Sequence, residues 1–476
     1  MKIIMTASEM TPFAKTGGLA DVMGSLPQAL SGRGHDISVF IPFYRNVKGP
    51  LSETQYKGHV TLGSRKCHFE AVRISTQDNV HVYAIRKDEY FDRAHLYHLP
   101  GRDYDDNAER FTFFSKAVVH TISQLGLKPD VIHAHDWQTA LVPIYVALDP
   151  RTAPTSRRPC VFTIHNIAYQ GVFEPSEFRM TNLPDHLFSP HGIEFYGKLN
   201  FLKGGVLFAD RVTTVSPTYA EEIQTQEYGC GLEGVTRSRR AHLRGILNGI
   251  DENTWDPSKD EHIPEKFTVR SLKKKSVCKN ALAEELHLDV SGTKPLFGMV
   301  TRLAQQKGIE LFFKALPEMI HKGAVFAVLG NGDASYETHL RHLAAKHSQQ
   351  LAVRLEFDEG LAHRIFAGSD FLMMPSLYEP CGLSQLYALR YGTIPLVRAT
   401  GGLNDTIEAW NAKTHKGNGF KFSDPTAVSL LEGFDRAMHA YRQLKAISAL
   451  RENAMACDFS WDRSAQEYET LYQSLQ

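Results

Sequence analysis

The 476-residue sequence has no excess of charge of either sign. Its 53 lysines and arginines are balanced by 53 aspartates and glutamates, and no long run carries a single sign. A general nucleic-acid surface or an anionic membrane attracts a strongly basic protein, so the balance argues against both as the main partner. A local basic site remains compatible with zero net charge.

Cysteine is scarce and scattered. The six cysteines include no Cys-x-x-Cys pair, which argues against a zinc site or a thioredoxin-like motif. They are Cys67, Cys160, Cys230, Cys278, Cys381 and Cys457. A chain of this length does not need disulfide cross-links, and the pattern is typical of a reducing compartment. We expect no metal and no cofactor.

Long apolar runs are absent as well. No segment is long enough to span a bilayer, and residues 1–5 lead directly into a strand-like run without the shape of a signal peptide. We therefore expect a cytoplasmic protein with no membrane partner. The sequence contains nothing that indicates an oligomeric state.

The chain instead alternates short apolar strands with amphipathic helices, which predicts an α/β protein of two or three domains. The alternation stops in a charged, proline-rich segment at 256–275 and resumes after Pro295. We therefore expect an N-terminal domain over 1–245, a second domain over 246–456, and a C-terminal helix over 457–476 that crosses back onto the first. The segment from Tyr44 to about Gln77 is expected to be irregular.

Several elements have clear sequence signals. Apolar spacing predicts helices over Asn107–Leu125 and Asp424–Ala446, and Leu296–Val300 is expected to be a strand. Ser216 is expected to cap a helix over Thr218–Ile223.

The most informative segment surrounds Glu379. Phe371–Met374 has the composition of a buried parallel strand, and Pro375 cannot extend it. Pro380 suits the first position of a following helix. Glu379 is thereby expected at the carboxyl edge of a sheet, where open α/β sheets bind ligands.

The same segment predicts an anion site. The backbone N–H groups of Cys381, Gly382 and Leu383 would favour an anion at the start of a helix. A carboxylate beside such a site suits a sugar attached to a phosphorylated leaving group. The alternative is that Glu379 only stabilises the helix N terminus through the helix dipole.

A glycine-rich loop follows the first strand. Residues 15–21 read Lys-Thr-Gly-Gly-Leu-Ala-Asp and separate a strand from an amphipathic helix, which is the layout of a phosphate-binding loop. The loop matches neither a Walker motif nor Gly-x-Gly-x-x-Gly. Gly18 would let a ligand approach the backbone, Lys15 supplies a cation, and Asp21 supplies an acceptor for sugar hydroxyls. The alternative is an ordinary turn; residues 400–405 nearly repeat it.

Histidines end two strands of the first half. His133 and His135 share a strand face, but no further metal ligand lies near them in sequence. We favour a hydrogen-bonded pair, followed by Asp136 and Trp137 facing a carbohydrate; a satisfied strand-end cluster is the alternative. His165 ends the next strand and could hydrogen-bond a substrate or act as an acid or base.

Two cations follow a strand of the second half. Arg302 and Lys307 are close enough in sequence to neutralise one diphosphate, although an exposed turn with solvated charges has the same pattern. Phe357 is predicted at the tip of another strand, where its ring could stack on a nucleobase.

Seven short motifs occur in one order along nearly the whole chain. They are Lys15–Asp21, His133–Trp137, Thr163–Asn166, Asn248–Asp251, Arg302 with Gln306–Gly308, Glu379–Leu383 and Thr400–Leu403. In these motifs the chain resembles the bacterial and plastid glycogen/starch synthases, the retaining glucosyltransferases of family 5. The resemblance implies the GT-B fold, in which two Rossmann-like domains with parallel sheets face a deep interdomain cleft.

The resemblance also implies an activity: transfer of glucose from ADP-glucose to the non-reducing end of an α-1,4-glucan in glycogen biosynthesis, with retention of configuration. By matching position, it implies His165, Glu379, Arg302 and Lys307 for catalysis, Lys15, Gly18, Asp21, Asn248, Phe357, Cys381, Gly382 and Leu383 for the donor, and Asp136, Trp137 and Asn166 for the acceptor. Three positions depart from the family pattern. Tyr387 stands where many retaining GT-B enzymes carry a ribose-binding glutamate, Phe357 stands where a tyrosine is expected, and Asn404 stands where alanine is usual.

Other activities on this fold stay open. They are a glucan synthase that uses UDP-glucose, a sucrose synthase-like or trehalose-forming transferase, and a catalytically idle glucan-binding protein. An idle protein is disfavoured by the intact Lys15, His165, Arg302, Lys307 and Glu379. The lack of a pyridoxal-lysine signature argues against a glucan phosphorylase. Because no second carboxylate suits a nucleophile, we expect attack on the same face of the sugar rather than a double displacement.

Overall fold

The computed structural model describes residues 1–99, 101–148, 157–292 and 294–476. The chain divides into two compact units. Unit 1 comprises Met1–Gly249 and Trp461–Gln476, and unit 2 comprises Ile250–Ser460. Both divisions lie four residues beyond the boundaries expected at 245 and 456. In the described ranges, no helix is both long and apolar enough to cross a membrane.

Unit 1 is built on a nine-stranded sheet and two smaller ones. Its strands are β1 (Lys2–Thr6), β2 (Asp36–Pro42), β3 (Glu53–Leu62), β4 (Arg65–Gln77), β5 (Val80–Arg86), β6 (His98–Leu99), β7 (Arg102–Asp103), β8 (Val131–His135), β9 (Cys160–Ile164), β10 (Val172–Phe173), β11 (Glu194–Phe195), β12 (Lys198–Asn200), β13 (Arg211–Thr214) and β14 (Leu243–Gly245). The large sheet has the order β14-β13-β9-β8-β1-β2-β5-β4-β3.

The order of this sheet predicts where unit 1 binds a ligand. From β5 to β14 all neighbours are parallel. We leave out the β3–β4 hairpin and number the other strands of the sheet along the chain. The sheet then contains β5-β2-β1-β8-β9-β13 as strands 3-2-1-4-5-6, which is the Rossmann order. The order reverses between β1 and β8, so the loops after these two strands flank the switch point where such sheets bind ligands.

The expectation of an irregular segment from Tyr44 to Gln77 is wrong. Strands β3 and β4 form an antiparallel hairpin at the edge of the sheet, joined by a two-residue turn in which Gly63 has φ +59°. Register shifts at Thr54/Tyr56 and Arg73/Ser75 interrupt the period of two that would reveal the strands. The Gly-Ser turn between the two runs was the available signal.

Amphipathic helices cover the large sheet of unit 1. They are α1 (Gly18–Gly32), α2 (Asp88–Phe91), α3 (Asn107–Gln124), α4 (Leu141–Ala147), α5 (Phe178–Thr181), α6 (Phe201–Phe208), α7 (Pro217–Glu222) and α8 (Glu233–Ser238). The apolar spacing predicted α3 almost to the residue, and its buried face carries Phe111, Phe114 and Val118. Ser216 caps α7 as predicted, because its hydroxyl accepts the Tyr219 N–H at 3.0 Å.

Unit 2 has a fully parallel six-stranded sheet. Its strands are β15 (Leu296–Val300), β16 (Val325–Leu329), β17 (Leu351–Arg354), β18 (Phe371–Met374), β19 (Ile394–Arg398) and β20 (Phe420–Phe422). The order β17-β16-β15-β18-β19-β20 is again 3-2-1-4-5-6, with the switch point between β15 and β18. Near-continuous apolar runs suit strands buried on both faces, and Phe297 stacks between Phe326 and Phe371 at the centre.

The helices of unit 2 are α9 (Lys275–Glu285), α10 (Ile309–His321), α11 (Ala334–Lys346), α12 (Glu359–Gly368), α13 (Ser384–Arg390), α14 (Gly401–Thr406), α15 (Ala427–Tyr441) and α16 (Leu444–Met455). Two expectations need correction. The helix expected over Asp424–Ala446 is two helices, separated at Arg442 and Gln443. Strand β17 ends at Arg354, so Phe357 lies in the loop before α12 rather than at a strand tip.

The last helix, α17 (Trp461–Gln473), belongs to unit 1. It packs on α1, and Arg33 and His35, which follow that helix, contact Glu469 at 2.8 and 3.1 Å. Its Tyr472 is fully buried and its hydroxyl lies 2.7 Å from Nδ1 of His133 on β8. The C-terminal helix therefore reaches the centre of the sheet of unit 1.

Candidate active site

The two loops that flank the switch point of unit 2 meet at a buried ion pair. Lys307, after β15, places its Nζ 2.6 Å from Oε2 of Glu379, after β18. The Ser376 hydroxyl donates to the same oxygen at 3.0 Å. The Glu379 and Lys307 side chains are only 6% and 15% exposed. The sequence predicted one of these residues for the sugar and the other for a phosphate, whereas the structure joins them in one pair.

Glycines allow the surrounding backbone to approach Glu379. Gly308 has φ +67°, and a Cβ there would lie 1.9 Å from the carbonyl oxygen of Pro375. A Cβ on Gly401 would lie 2.0 Å from the Glu379 carbonyl oxygen, which also accepts the Gly402 N–H at 3.0 Å. The second glycine-rich loop, at 400–405, therefore supports the Glu379 backbone by close contact.

The expected helix at Pro380 is wrong. Helix α13 begins only at Ser384, because Gly382 adopts φ +73° and cannot continue a helix. The Gln385 side chain donates to the carbonyl oxygens of Cys381 and Gly382, at 3.0 Å each, and holds the loop. Glu379 lies five residues before the helix, too far for the helix dipole to account for it.

Two residues expected at the nucleotide are exposed. Arg302, after β15, forms no hydrogen bond or ion pair through its guanidinium with any residue of the described ranges. Phe357 is 77% exposed. Tyr387, at the position of the ribose-binding glutamate, instead stacks on Trp255 with ring centroids 3.9 Å apart. Arg302 and Phe357 are thus accessible to a ligand, whereas one face of Tyr387 is covered.

In unit 1, the glycine-rich loop after β1 is less open than the sequence predicts. Oε2 of the buried Glu9 accepts the N–H groups of Thr16 and Gly17 at 2.5 and 3.2 Å. These amides are therefore not available to a phosphate. Gly18 begins α1, so its N–H has no partner within the helix. Sequence reasoning missed Glu9, although a carboxylate between a buried strand and a glycine loop was a visible signal.

The cation of this loop has a partner inside the protein. The ammonium of Lys15 lies 2.7 Å from Oδ1 of Asp21, and both side chains are partly exposed. An exposed pair of this kind contributes little to stability. A ligand phosphate can therefore compete with Asp21 for Lys15 at small cost.

The histidines of unit 1 pair differently from the prediction. His133 and His135 are not bonded to each other, although their ring centroids lie 4.0 Å apart. His133 uses both ring nitrogens, on the Tyr472 hydroxyl at 2.7 Å and the Thr163 hydroxyl at 2.6 Å. Nδ1 of His135 lies 3.0 Å from Nε2 of His165. His133 is thus structural, and His135 orients His165.

Burial keeps these three imidazoles neutral. It lowers the pKa of both His133 and His165 to about 3, and the pKa of His135 falls well below the ordinary value for the same reason. Nε2 of His135 is buried without a hydrogen-bond partner in the described part of the chain. A buried nitrogen lone pair without a partner costs less free energy than a buried N–H group without one. The unpaired Nε2 of His135 therefore carries no proton, so the Nδ1–H of His135 donates to Nε2 of His165. This assignment puts the proton of His165 on Nδ1, where the neutral ring can donate a hydrogen bond.

The residues expected at the acceptor hold the backbone around His165. Oδ1 of Asp136 accepts the His165 N–H at 2.8 Å, and the Asn166 N–H also stabilises the carboxylate. The Asn166 side chain accepts from the Ala168 N–H at 3.0 Å. Asp136 itself has φ +57° and ψ 177°, a conformation that non-glycine residues adopt mainly at functional sites. These contacts shape the turn, and Asp136 and Asn166 remain partly exposed.

Trp137 is expected to offer an aromatic face to a sugar. Its ring packs edge-on against Phe111 at 5.0 Å and against Phe173 at 5.6 Å. A Cβ on Gly171 would lie 2.5 Å from the indole, so glycine is required beside it. The indole is half-buried, which leaves only part of it for a ligand.

Asn248, near the end of unit 1, is also a candidate for the donor. It is 6% exposed, and its Oδ1 is buried without a hydrogen-bond partner in the ranges that the structure describes. Such an oxygen is costly to leave unpaired, so it is a candidate acceptor for a ligand hydroxyl.

Asp136 leads to a prediction about pH. Burial raises its pKa to about 7, against the opposing effect of the two N–H bonds and with a contribution from the charge of Glu9. From about pH 4 to about pH 7 the folded protein keeps a proton that the unfolded chain releases, so stability falls as pH rises through that window. Asparagine keeps an oxygen for the His165 N–H and carries no charge. We expect Asp136→Asn to remove this pH-dependent loss.

The effect is measured as the melting temperature of both proteins at about pH 5 and about pH 8. One pKa unit corresponds to about 1.4 kcal/mol, and partial exposure of Asp136 reduces the total to on the order of 1–2 kcal/mol. The variant should gain stability relative to wild type at the higher pH. An equal change at both values contradicts the assignment.

In the described ranges, no three histidine, cysteine, aspartate or glutamate side chains are arranged to hold a metal ion. His133 illustrates why the strand-end histidines do not form such a site: the Tyr472 and Thr163 hydroxyls take both of its nitrogens.

Comparison with known proteins agrees with this architecture. The model of the starch synthase catalytic domain matches residues 2–238, and that of glycosyl transferases group 1 matches residues 287–455. A glycogen synthase of Koribacter versatilis is 45% identical over 99% of this chain and 98% of its own. A glycogen synthase of Pseudothermotoga lettingae is 44% identical, with the same coverage.

Solved structures show the same likeness. The catalytic domain of starch synthase IV from Arabidopsis thaliana, bound to ADP and acarbose, superposes with a TM-score of 0.90 at 33% identity, covering 99% of both chains. The sucrose-phosphate synthase of Thermosynechococcus elongatus shares only the fold, with a TM-score of 0.60 at 16% identity over 100% of this chain and 98% of its own.

The two Rossmann-order units, the match to glycosyl transferases group 1 and the likeness to starch synthase IV together identify a glycosyltransferase of the GT-B fold. Within this class, the family models and the full-length relatives are specific. The chain belongs to the glycogen/starch synthase family.

Proposed function

We propose that the protein transfers glucose from ADP-glucose to the non-reducing end of an α-1,4-glucan, with retention of configuration, in glycogen biosynthesis. The observation that carries the proposal is the buried Lys307–Glu379 pair at the switch point of unit 2, with the exposed Arg302 on the same loop as Lys307. The relatives named glycogen synthase and the starch synthase bound to ADP and acarbose support the choice of donor and acceptor.

The diphosphate of the donor is assigned to the cations. Arg302 and Lys307 of unit 2, with Lys15 and the Gly18 N–H of unit 1, would contact its oxygens. Cleavage of a glycosyl–phosphate bond builds negative charge on the departing ADP, and positioned cations stabilise that charge in the transition state. Asp21 and Asn248 would contact the donor on the side of unit 1, and Phe357 would stack on the adenine.

The glucose is assigned to Glu379 and His165. The Glu379 carboxylate would accept hydrogen bonds from the sugar hydroxyls, and the backbone N–H groups of Cys381 and Gly382 would donate to them. Leu383 borders the same loop. His165, neutral and with Nδ1–H available, would donate to a glucose oxygen. Lys307 then contacts both the carboxylate at the sugar and the phosphate, which aligns the bond that breaks.

The acceptor is assigned to Asp136, Trp137 and Asn166 of unit 1. In the proposed step the 4-hydroxyl of the glucan attacks the anomeric carbon on the face that ADP leaves, and the departing phosphate oxygen takes the hydroxyl proton. Glu379 is engaged by Lys307 and Ser376, which does not suit a nucleophile. Trapping of a glucosyl–enzyme adduct on Glu379 would falsify this step.

The proposal is tested by incubating the protein and a glycogen primer with radiolabelled ADP-glucose or UDP-glucose. We expect label in the polymer from ADP-glucose, released afterwards by an amylase specific for α-1,4 bonds. Preference for UDP-glucose would favour the alternative donor. Glycogen binding without turnover of either nucleotide sugar would favour an idle glucan-binding protein.

The proposal places the reaction in the cytoplasm. All six cysteines are free thiols, which is typical of a reducing compartment. Neither a nucleic acid nor a membrane has a role in the proposed reaction.

A further inference from the structure

A buried carboxylate without a cationic partner lies behind the glycine-rich loop of unit 1. Glu9 is 4% exposed and forms no ion pair with any residue that the structure describes. Its hydrogen bonds come from uncharged donors: Oε2 accepts the Thr16 and Gly17 N–H groups, and Oε1 accepts the Thr16 and Tyr97 hydroxyls at 2.6 and 2.7 Å. Burial of an unpaired carboxylate is unfavourable, so stability alone does not explain Glu9.

The rest of this loop is closed on itself. Met10 and Ala14 exchange backbone hydrogen bonds at 3.0 and 2.9 Å, and the Thr11 N–H donates to the Ala20 carbonyl at 3.0 Å. The Thr16 and Gly17 N–H groups, by contrast, have no backbone partner within the described loop, although the Gly17 carbonyl accepts the Ala20 N–H at 3.2 Å, and both N–H groups donate to Glu9. The carboxylate thus replaces backbone pairing immediately before the first residue of α1.

We propose that Glu9 is the positioning residue of the donor site. Its carboxylate fixes the backbone at Thr16 and Gly17, so that the Gly18 N–H and the Lys15 ammonium meet the diphosphate of the nucleotide sugar. This rests on the function proposed above. Glu9 touches neither substrate nor reacting atoms, and it acts through the loop.

Glutamine separates the positioning role from the charge. Its amide oxygen can take the place of Oε2 and accept both N–H groups. Its NH₂ group can take the place of Oε1 and donate to the hydroxyl oxygens of Thr16 and Tyr97, and these hydroxyls then donate their own protons to other acceptors. Alanine removes all four bonds. Glu9→Gln should therefore retain donor binding, and Glu9→Ala should lose it.

The experiment measures KM for ADP-glucose, KM for glycogen, kcat and the dissociation constant of ADP in the full-length protein. We expect Glu9→Ala to raise KM for ADP-glucose and the ADP dissociation constant by about 30–100-fold, since a small misplacement of binding groups has effects of this size. In Glu9→Ala, KM for glycogen should change less than about threefold. In Glu9→Gln, each of the four constants should change less than about threefold.

Asp130→Ala is the matched control, because Asp130 also holds a backbone N–H of unit 1, that of Lys2 at 2.7 Å. It should leave ADP binding unchanged. Thr16→Val removes one of the four bonds and should weaken ADP binding about threefold even if Glu9→Ala does not fold. Normal ADP binding by Glu9→Ala or by Thr16→Val, or equal losses in Glu9→Ala and Glu9→Gln, overturns the inference. Failure of wild type to use ADP-glucose refutes the proposed function instead.

Discussion

Replacement of Glu379 by glutamine should lower kcat by about 10²–10³-fold while the protein stays folded. Glutamine fills the same volume, and its amide oxygen still accepts from the Lys307 ammonium and the Ser376 hydroxyl. Both hydrogen bonds then have a neutral acceptor in place of a charged one, which should cost about 1–3 kcal/mol of stability. If Glu379 contacts the glucose as proposed, the variant also loses the negative charge that stabilises the positive charge developing on the sugar.

Glutamine is a sharper test than alanine. Truncation would leave Lys307 buried without its partner, which alone destabilises by about 3–5 kcal/mol and confuses stability with turnover. Asp370 supplies the matched control, because its carboxylate is also buried in unit 2 and paired, with Lys279 and Arg451 at 2.7 Å each. Asp370→Asn should lower the melting temperature but change kcat less than about threefold. If both variants lose turnover in proportion to stability, Glu379 is structural.

Strand positions in unit 2 follow from the sequence because the strands are short, apolar and bounded by polar loops. The expected bounds of Leu296–Val300 and Phe371–Met374 are confirmed to the residue. The residues expected at the carboxyl ends of β15 and β18, Lys307 and Glu379, are also found there. Alternation and breaker residues are local signals, and they decide which residues reach the edge of the sheet.

The pairing of these residues does not follow from local signals. Lys307 and Glu379 are 72 residues apart, and they meet only because β15 and β18 are neighbours at the switch point. Glu9 depends in the same way on Tyr97, 88 residues away. The His135–His165 contact requires β8 and β9 to be adjacent. Strand order decides each pairing, and the sequence contains no direct record of it.

Replacement of Arg302 by methionine should leave stability almost unchanged and cause a large loss of catalysis, whereas a substitution in the core mainly lowers stability. Its side chain is exposed and its guanidinium has no hydrogen bond or ion pair to lose within the described ranges. Stability should therefore change by less than about 0.5 kcal/mol. If the guanidinium neutralises the departing diphosphate, its loss should lower kcat/KM for ADP-glucose by about 10²–10³-fold.

Arg302→Lys distinguishes charge from geometry. Lysine keeps the positive charge but lacks the paired N–H groups that match two phosphate oxygens. The kcat/KM of Arg302→Lys should therefore be about tenfold higher than that of Arg302→Met and still below that of wild type. Arg270→Met removes another exposed arginine of unit 2 and should leave both rate and stability unchanged. The three variants are compared by initial rates at varied ADP-glucose and by thermal melting. Since methionine at 302 disturbs no internal contact, a variant that retains wild-type kcat/KM would remove Arg302 from the donor site and leave Lys307 as the main cation of unit 2.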